Sequence, residues 1–308
     1  MNLGMSLRAE FHCHNVYSNG HLGDLEPPFD CSVTISEQLE QAYKANLDCL
    51  FVTNHNTLDG FHQLVEYKNN HEKFKNIKVY PAEEVTTDKE AHVLVLGLHK
   101  EIKSGFSIEE IVDQAKQQNA VSVAPHPFSL IDALRDESVH CDLFENFNSS
   151  NIDIYSNKKA EEFAKERNLT VVAGSDSHVK TTIARCTNLI DSQNTLDDIL
   201  HSMLHNKIKI EKTGYVLPEE TLEHIRYKIT NSKPYIDQYV KEFYPRSFWM
   251  FDNLYNFYMK TQKSYIWEIM YKLSLFGLKR ISKKINFEGY DPYVFRERDI
   301  PTITRMVF

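Results

Sequence analysis

None of the short motifs that usually carry a nucleophile or cradle a nucleotide phosphate occurs in this chain: GxSxG, GxxxxGK and HExxH are all missing. That excludes the serine-hydrolase elbow, the P-loop and the helical zinc-protease site. Gly20, Gly60 and Gly97 belong to turns and make no dinucleotide fingerprint. No CxxC pair exists among the five cysteines at 13, 31, 49, 141 and 186. An odd count, with three in strand-like runs, reads as reduced and mostly buried thiols in a cytosolic compartment. No run approaches about 18 uninterrupted apolar residues, and the opening MNLGMSLRAEF has no apolar core of signal-peptide length. A soluble, cytoplasmic protein with at most peripheral membrane contact is expected. Internal repeats and low-complexity segments are also lacking.

Negative charge is plentiful but unevenly placed. Residues 1–210 hold 19 Lys/Arg against 31 Asp/Glu, and residues 211–308 hold 16 against 12. The acidic part suits bound cations, which would supply the positive potential that an anionic substrate needs. It does not suit a surface for long duplex nucleic acid.

Within 1–210, short apolar runs at 7–12, 48–53, 77–81, 92–97, 120–124, 142–145 and 169–174 read as strands and alternate with helix-like segments. Thr34-Ile35-Ser36-Glu37 and Ser107-Ile108-Glu109-Glu110 are capping-box starts. A third helix from about Ser156 carries Ala160, Phe163 and Ala164 on one face. Strand–helix repeats predict parallel strands covered by helices. Potential metal ligands stand where these runs meet polar segments: His12 and His14, His55, Glu83 or Glu84, His92, His126, and Asp176 with His178. In a barrel the C-terminal strand ends converge on one mouth, so a barrel of about seven strands is favoured over an open sheet. His12 and His14 share a face under strand alternation, whereas Cys13 points away and is assigned to packing.

The segments HxHNxYSNG, TNHNTLDG, PAEEVTTDKEAH, APHPF and GSDSH, in that order over residues 7–190, closely resemble the PHP (polymerase and histidinol phosphatase) superfamily of metal-dependent phosphoesterases. The resemblance implies an α/β fold, a distorted (β/α)7 TIM-like barrel, with two or three Zn²⁺, Mn²⁺ or Fe²⁺ ions at its mouth. It implies a first ion on His12, His14, Glu84 and Asp176, and a second that shares Glu84 and adds His92 and His126. A third would use His55, His178 and the residue at 19. The family's small-x-Glu pattern selects Glu84 over Glu83, which is left to solvent or to a supporting role. Two departures stand out: Asn19 and Asn54 replace aspartates. The third site is therefore expected to be weak or empty, and Asn54 to orient rather than ligate.

The expected activity is hydrolysis of a small phosphate ester by metal-activated hydroxide, phosphomonoesters slightly favoured over diesters. His12, His14, Glu84, Asp176 and His178 form the expected catalytic set. The alternative is an inactive, regulatory protein that binds metal and a phosphate ligand. Tyr17, Ser18, Lys180 and Arg185 are weaker phosphate-contact candidates, and Glu145 an orienting one. Residues 211–308 form the second expected unit, a helical extension with 13 aromatics between 235 and 271 and an extended tail over about the last 20 residues. The aromatics are expected to pack helices onto the outside of the barrel. A homo-oligomer contact is the second use, and nucleic-acid stacking the weakest.

Overall fold

The computed structural model describes residues 6–23 and 26–307. The leader expectation therefore rests in part on residues 1–5, outside the described residues. Among the described residues, nine strands join in one sheet: β1 (Ser6–Glu10), β2 (Cys49–Val52), β3 (Lys78–Thr86), β4 (His92–Leu96), β5 (Val121–Ala124), β6 (Leu143–Asn148), β7 (Val171–Gly174), β8 (Thr187–Asp191) and β9 (Ile208–Lys212). Their order is β7-β6-β5-β4-β3-β2-β1-β8-β9. The first seven coincide with the predicted runs. The sheet curls until its ends meet. Beyond β1 and β7, Cys13 and Ser177 form a parallel bridge. There the Asp176 N–H donates to the His12 carbonyl at 2.8 Å, and the His14 N–H to that of Ser177 at 3.2 Å. The Asn188 side chain ties β8 to β7 through both backbone groups of Ala173, at 3.0 and 2.8 Å. The result is a distorted TIM-like barrel with a helical extension.

Two features depart from a simple strand–helix rhythm within the expected distorted barrel of about seven strands. Strand β4 runs antiparallel to both β3 and β5. Only Thr87–Ala91 joins β3 to β4, and a parallel crossover takes a dozen residues or so. Strands β8 and β9 extend the sheet beyond β1, both in antiparallel pairing. The expected boundary at 210 thus falls inside β9.

Helices α1 (Ile35–Lys44), α2 (Asp59–Asn69), α3 (Ile108–Gln117), α4 (Tyr155–Arg167) and α5 (Leu196–Leu204) accompany the barrel. Both predicted capping boxes are formed, Thr34 with Glu37 and Ser107 with Glu110. Leu7, Ala9 and Phe11 share an apolar cluster with Phe51, Leu94, Val123 and Leu143, into which α5 inserts Ile199 and Met203. Alternate residues such as Leu50, Val52, Val93 and Val95 pack instead in clusters with the surrounding helices. This filled interior leaves only one end of the barrel for polar side chains.

The extension comprises α6 (Pro218–Asn231), α7 (Lys233–Phe243), α8 (Phe248–Thr261), α9 (Ile266–Glu288) and α10 (Ile300–Val307). The C-terminal half of α9 docks on the barrel. Ser282 donates to Asp153 at 2.5 Å, Asn286 donates to the Phe128 carbonyl at 3.3 Å, and Arg135 donates to Asn286 at 3.1 Å. The expected extended tail is corrected: α10 starts after Asp299, whose carboxylate accepts the Thr302 N–H at 3.1 Å. Its Met306 packs with Ile281 and Ile285 of α9; Phe308 lies outside the described residues. The aromatic expectation also needs correction. Helix α8 buries no residue, and Trp249 and Tyr265 are 68% and 62% exposed. Helices α6 to α9 enclose a cavity among themselves, with the C-terminal half of α9 and one face of α6 turned to the barrel. Among the described residues, no helix is long and apolar enough to cross a membrane.

Candidate metal centre

Glu84 stands at the middle of the mouth, buried at 1% exposure. Its two oxygens face different groups. Oε2 lies 3.4 Å from His12 Nε2, 3.2 Å from His14 Nε2 and 3.5 Å from His55 Nδ1. Oε1 lies 3.2 Å from His92 Nδ1 and 3.1 Å from His126 Nε2. Asp176 Oδ1 approaches His12 and His14 at 3.4 and 3.5 Å. Glu83 points the other way, as alternation requires. It is buried, not solvated, and accepts the Ile102 N–H at 3.0 Å. Burial pushes its carboxyl up to about 8.

The supporting contacts fix which nitrogen faces the centre. His12 Nδ1 donates to Glu145 at 3.0 Å, which leaves Nε2 directed at Glu84 and Asp176. Glu145 also accepts the His126 N–H at 2.7 Å and the Asn148 amide at 2.8 Å. Gly174 leaves room for this carboxylate: a Cβ there would stand 1.6 Å from Glu145 Oε1. Glu10, fully buried, accepts the N–H groups of Phe11 and His12 at 3.1 Å and of Ala184 at 3.0 Å, holding the chain between β1 and the two histidines. Asn54 pairs reciprocally with Asn15, accepting its N–H and donating to its side-chain oxygen, both at 2.9 Å. Ser18 fixes His55 through its N–H at 2.9 Å and lies 3.3 Å from His14 Nδ1. His126 and Asp176 both have left-handed backbones, at φ 28° and 48°. Such strain persists only where surrounding bonds impose it.

Burial alone would raise Glu84 and Asp176, yet the facing histidines hold both carboxylates well below their ordinary range. Burial lowers His126, but Asp132, Glu84 and Asp176 reverse that and bring it up to about 9. A divalent ion relieves this arrangement better than protons do. His14 Nε2, His55 Nδ1, both nitrogens of His92 and His126 Nδ1 are buried without a hydrogen-bond partner. Imidazole nitrogens orphaned around buried carboxylates are a donor set for borderline divalent cations.

Asn19 is not brought among these groups, which corrects its expected place. Its Oδ1 accepts the N–H groups of Asp30 and Cys31 at 2.8 and 3.0 Å, and its amide donates to Tyr227 at 3.0 Å. What it clamps is Asp30, which supplies the carboxylate missing from position 19. Asp30 lies 2.6 Å from His178 Nε2, 3.8 Å from His55 Nε2, 3.0 Å from His224 Nε2 and 2.6 Å from Lys228 Nζ. Burial would raise Asp30, but His178 and Lys228 keep it well below its usual value. Sequence reading missed Asp30, His224 and Lys228. Asp30 sits in a loop with no strand-end signal. His224 and Lys228, four apart on one face of α6, were a legible pair. Cys13 packs away from the centre, bonded to the Phe51 carbonyl. Lys180 makes an exposed pair with Glu37, and Arg185 pairs with Glu220 of α6. His62, His71, His99 and His140 are exposed and lie apart from the centre.

With this geometry in hand, the kinship of the chain is clear. A family model described as PHP-associated matches residues 155–208. The uncharacterized protein MJ1587 of Methanocaldococcus jannaschii is 33% identical over 151 residues, 48% of this chain and 85% of that protein. A second uncharacterized protein of the same organism, MJ0417, is 30% identical over 108 residues, 32% of this chain and 45% of that protein. The crystal structure of PsfC from Pseudomonas syringae PB-5123 shares the fold with a TM-score of 0.50 at 16% identity. That match covers 73% of this chain and 98% of PsfC. The chain belongs to the PHP superfamily of metal-dependent phosphoesterases.

Proposed function

We propose that the protein hydrolyses a small phosphate ester at a two-ion centre bridged by Glu84. The observation that carries this reading is the division of the Glu84 carboxylate, one oxygen toward His12 and His14 and the other toward His92 and His126. His12, His14, Glu84 and Asp176 would hold one ion, and Glu84, His92 and His126 would hold the other. When bound, Zn²⁺, Mn²⁺ or Fe²⁺ would lower the pKa of water toward neutrality and offset charge on the phosphate oxygens. Glu145 holds the imidazole of His12 and the backbone of His126 so that both nitrogens face inward. Phosphomonoesters are slightly favoured, because the cleft beside Asp176, His178 and His224 is narrow.

A third ion on His55, His178 and Asp30 meets an obstacle. The Lys228 ammonium already sits 2.6 Å from Asp30, and a dication on the same carboxylate would be repelled by several kcal/mol. We therefore assign His178 to protonating the leaving alkoxide. Its Nδ1 donates to the Asp176 carbonyl at 3.0 Å, so the proton passed to the alkoxide would be the one on Nε2, which would have to leave its contact with Asp30 for the departing oxygen. Lys228 and His224 face the same position; Lys228 can counter phosphate charge, and His224, whose charged form burial disfavours, can offer a hydrogen bond, so α6 completes a mouth otherwise built by the barrel over 1–210.

The test is a panel of phosphomonoesters and phosphodiesters offered to the full chain with Mn²⁺ or Zn²⁺ and again after chelation. Turnover that appears with metal and vanishes with chelator is expected. Equal turnover in both would reject the centre. Full metal loading with no turnover across the panel would favour the regulatory, metal-binding alternative.

A further inference from the structure

Helix α6 separates two spaces. His224 and Lys228 face the metal centre through Asp30, while Leu222, Ile225 and Ile229 face a cavity of about 370 Å³ enclosed with α7, α8 and α9. At the N-terminal end of α6 the two meet. Ile152 and Thr221 line both this cavity and the cleft that holds Asp176, His178 and His224. The cleft measures about 70 Å³, roughly twice the ~30 Å³ share of one water. It accommodates a phosphate-sized group and little of the alcohol attached to it.

The adjoining cavity has the size of a small-molecule site, which typically spans ~300–1,000 Å³. Its wall is aliphatic and aromatic, including Val240, Tyr258, Trp267 and Leu278. Lys233, the cation in the wall, is paired with Asp237 at 2.5 Å and Asp252 at 3.2 Å, so no free charge is offered to a polar guest. Packed interiors contain few voids larger than a water molecule, and this space is not sealed. Phe251, Leu254 and Met270 line it while staying 40%, 49% and 45% exposed, giving it an apolar rim open to solvent.

We propose that this cavity receives the apolar chain of the substrate, which makes the substrate a phosphate ester of a long-chain alcohol. The phosphate enters the cleft at the metal centre, and the chain passes Thr221 and Ile152 into the space between α6 and α9. The inference rests on the phosphoesterase reading and extends it from a reaction to a substrate class. It also accounts for the aromatic helices, whose half-exposed side chains form the walls of a binding site.

The experiment compares methyl, hexyl and dodecyl phosphate, each below its micelle-forming concentration, with the Mn²⁺-loaded full chain. Each methylene buried should raise kcat/KM by about threefold until the cavity is full, at least ~100-fold from methyl to hexyl. Ile225→Trp and Met270→Trp, which narrow the cavity, should lower kcat/KM for dodecyl phosphate by about tenfold or more. Methyl phosphate turnover and metal content should stay unchanged. A flat series in the wild-type protein overturns the proposal and leaves the phosphoesterase reading intact. If no ester is hydrolysed, the phosphoesterase reading fails and calorimetry with dodecyl phosphate decides the cavity. Binding that methyl phosphate lacks and Ile225→Trp weakens supports it, and no binding overturns it.

Discussion

Glu84→Gln is expected to lower kcat by at least ~10³-fold and to reduce the bound metal from two ions to one or fewer per chain. Glutamine keeps the volume and one carbonyl oxygen, so the packing around position 84 is preserved. What it loses is the second ligating oxygen and the negative charge. In the wild-type protein one Glu84 oxygen faces His12, His14 and His55, and the other faces His92 and His126. An amide nitrogen turned toward either set presents hydrogens to a cation. One ion then loses its carboxylate, and the neighbouring ion loses charge compensation. Loss of about 4 kcal/mol of stabilisation corresponds to ~10³ in rate. Elemental analysis beside steady-state kinetics checks it. A Glu84→Gln protein with two ions and activity within about tenfold of wild type would remove the bridging role.

Glu145→Ala is expected to weaken metal binding by ~10–100-fold, although Glu145 is not proposed as a ligand. Its two oxygens hold His12 Nδ1, the His126 backbone and Asn148. Without them the His12 ring is free to turn and His126 loses a bond that holds its left-handed backbone. The buried donors left behind also cost stability, about 1–3 kcal/mol for each one unsatisfied. The variant should therefore melt earlier and need more Mn²⁺ for half-maximal activity, with kcat at saturating metal recovering in large part. Unchanged metal affinity would show that the imidazoles hold themselves in place.

The seven strands at the core of the barrel were legible because each is a short apolar run between polar segments, and both capping boxes announced their helices. Strands β8 and β9 were not. Thr187–Asp191 and Ile208–Lys212 mix charged and apolar residues, with Asp191, Lys209 and Glu211 exposed. The antiparallel turn after β3 was readable from the shortness of Thr87–Ala91, a signal that outranks the strand–helix rhythm elsewhere. In the site, ligand positions at strand ends could be read from HxH and from GSDSH. Asp30 could not, because its place depends on a clamp by Asn19, eleven positions earlier in the chain. The substitution at 19 read as a lost ligand, yet the asparagine oxygen positions the carboxylate that stands in the mouth. The aromatic helices misled for a related reason. Composition shows that such residues want apolar surroundings, but not whether those surroundings are the barrel or a guest.

The account stands most directly on the number of ions that the active protein uses. The measurement is a titration of chelated, full-length protein with Mn²⁺, following hydrolysis of a phosphomonoester and metal content together, for wild type and Lys228→Met. Wild-type activity should reach its maximum at two equivalents. Lys228→Met should admit a third ion, because the ammonium that opposes it is gone. Activity complete at one equivalent, or rising until a third is bound in the wild-type protein, would contradict a two-ion centre bridged by Glu84.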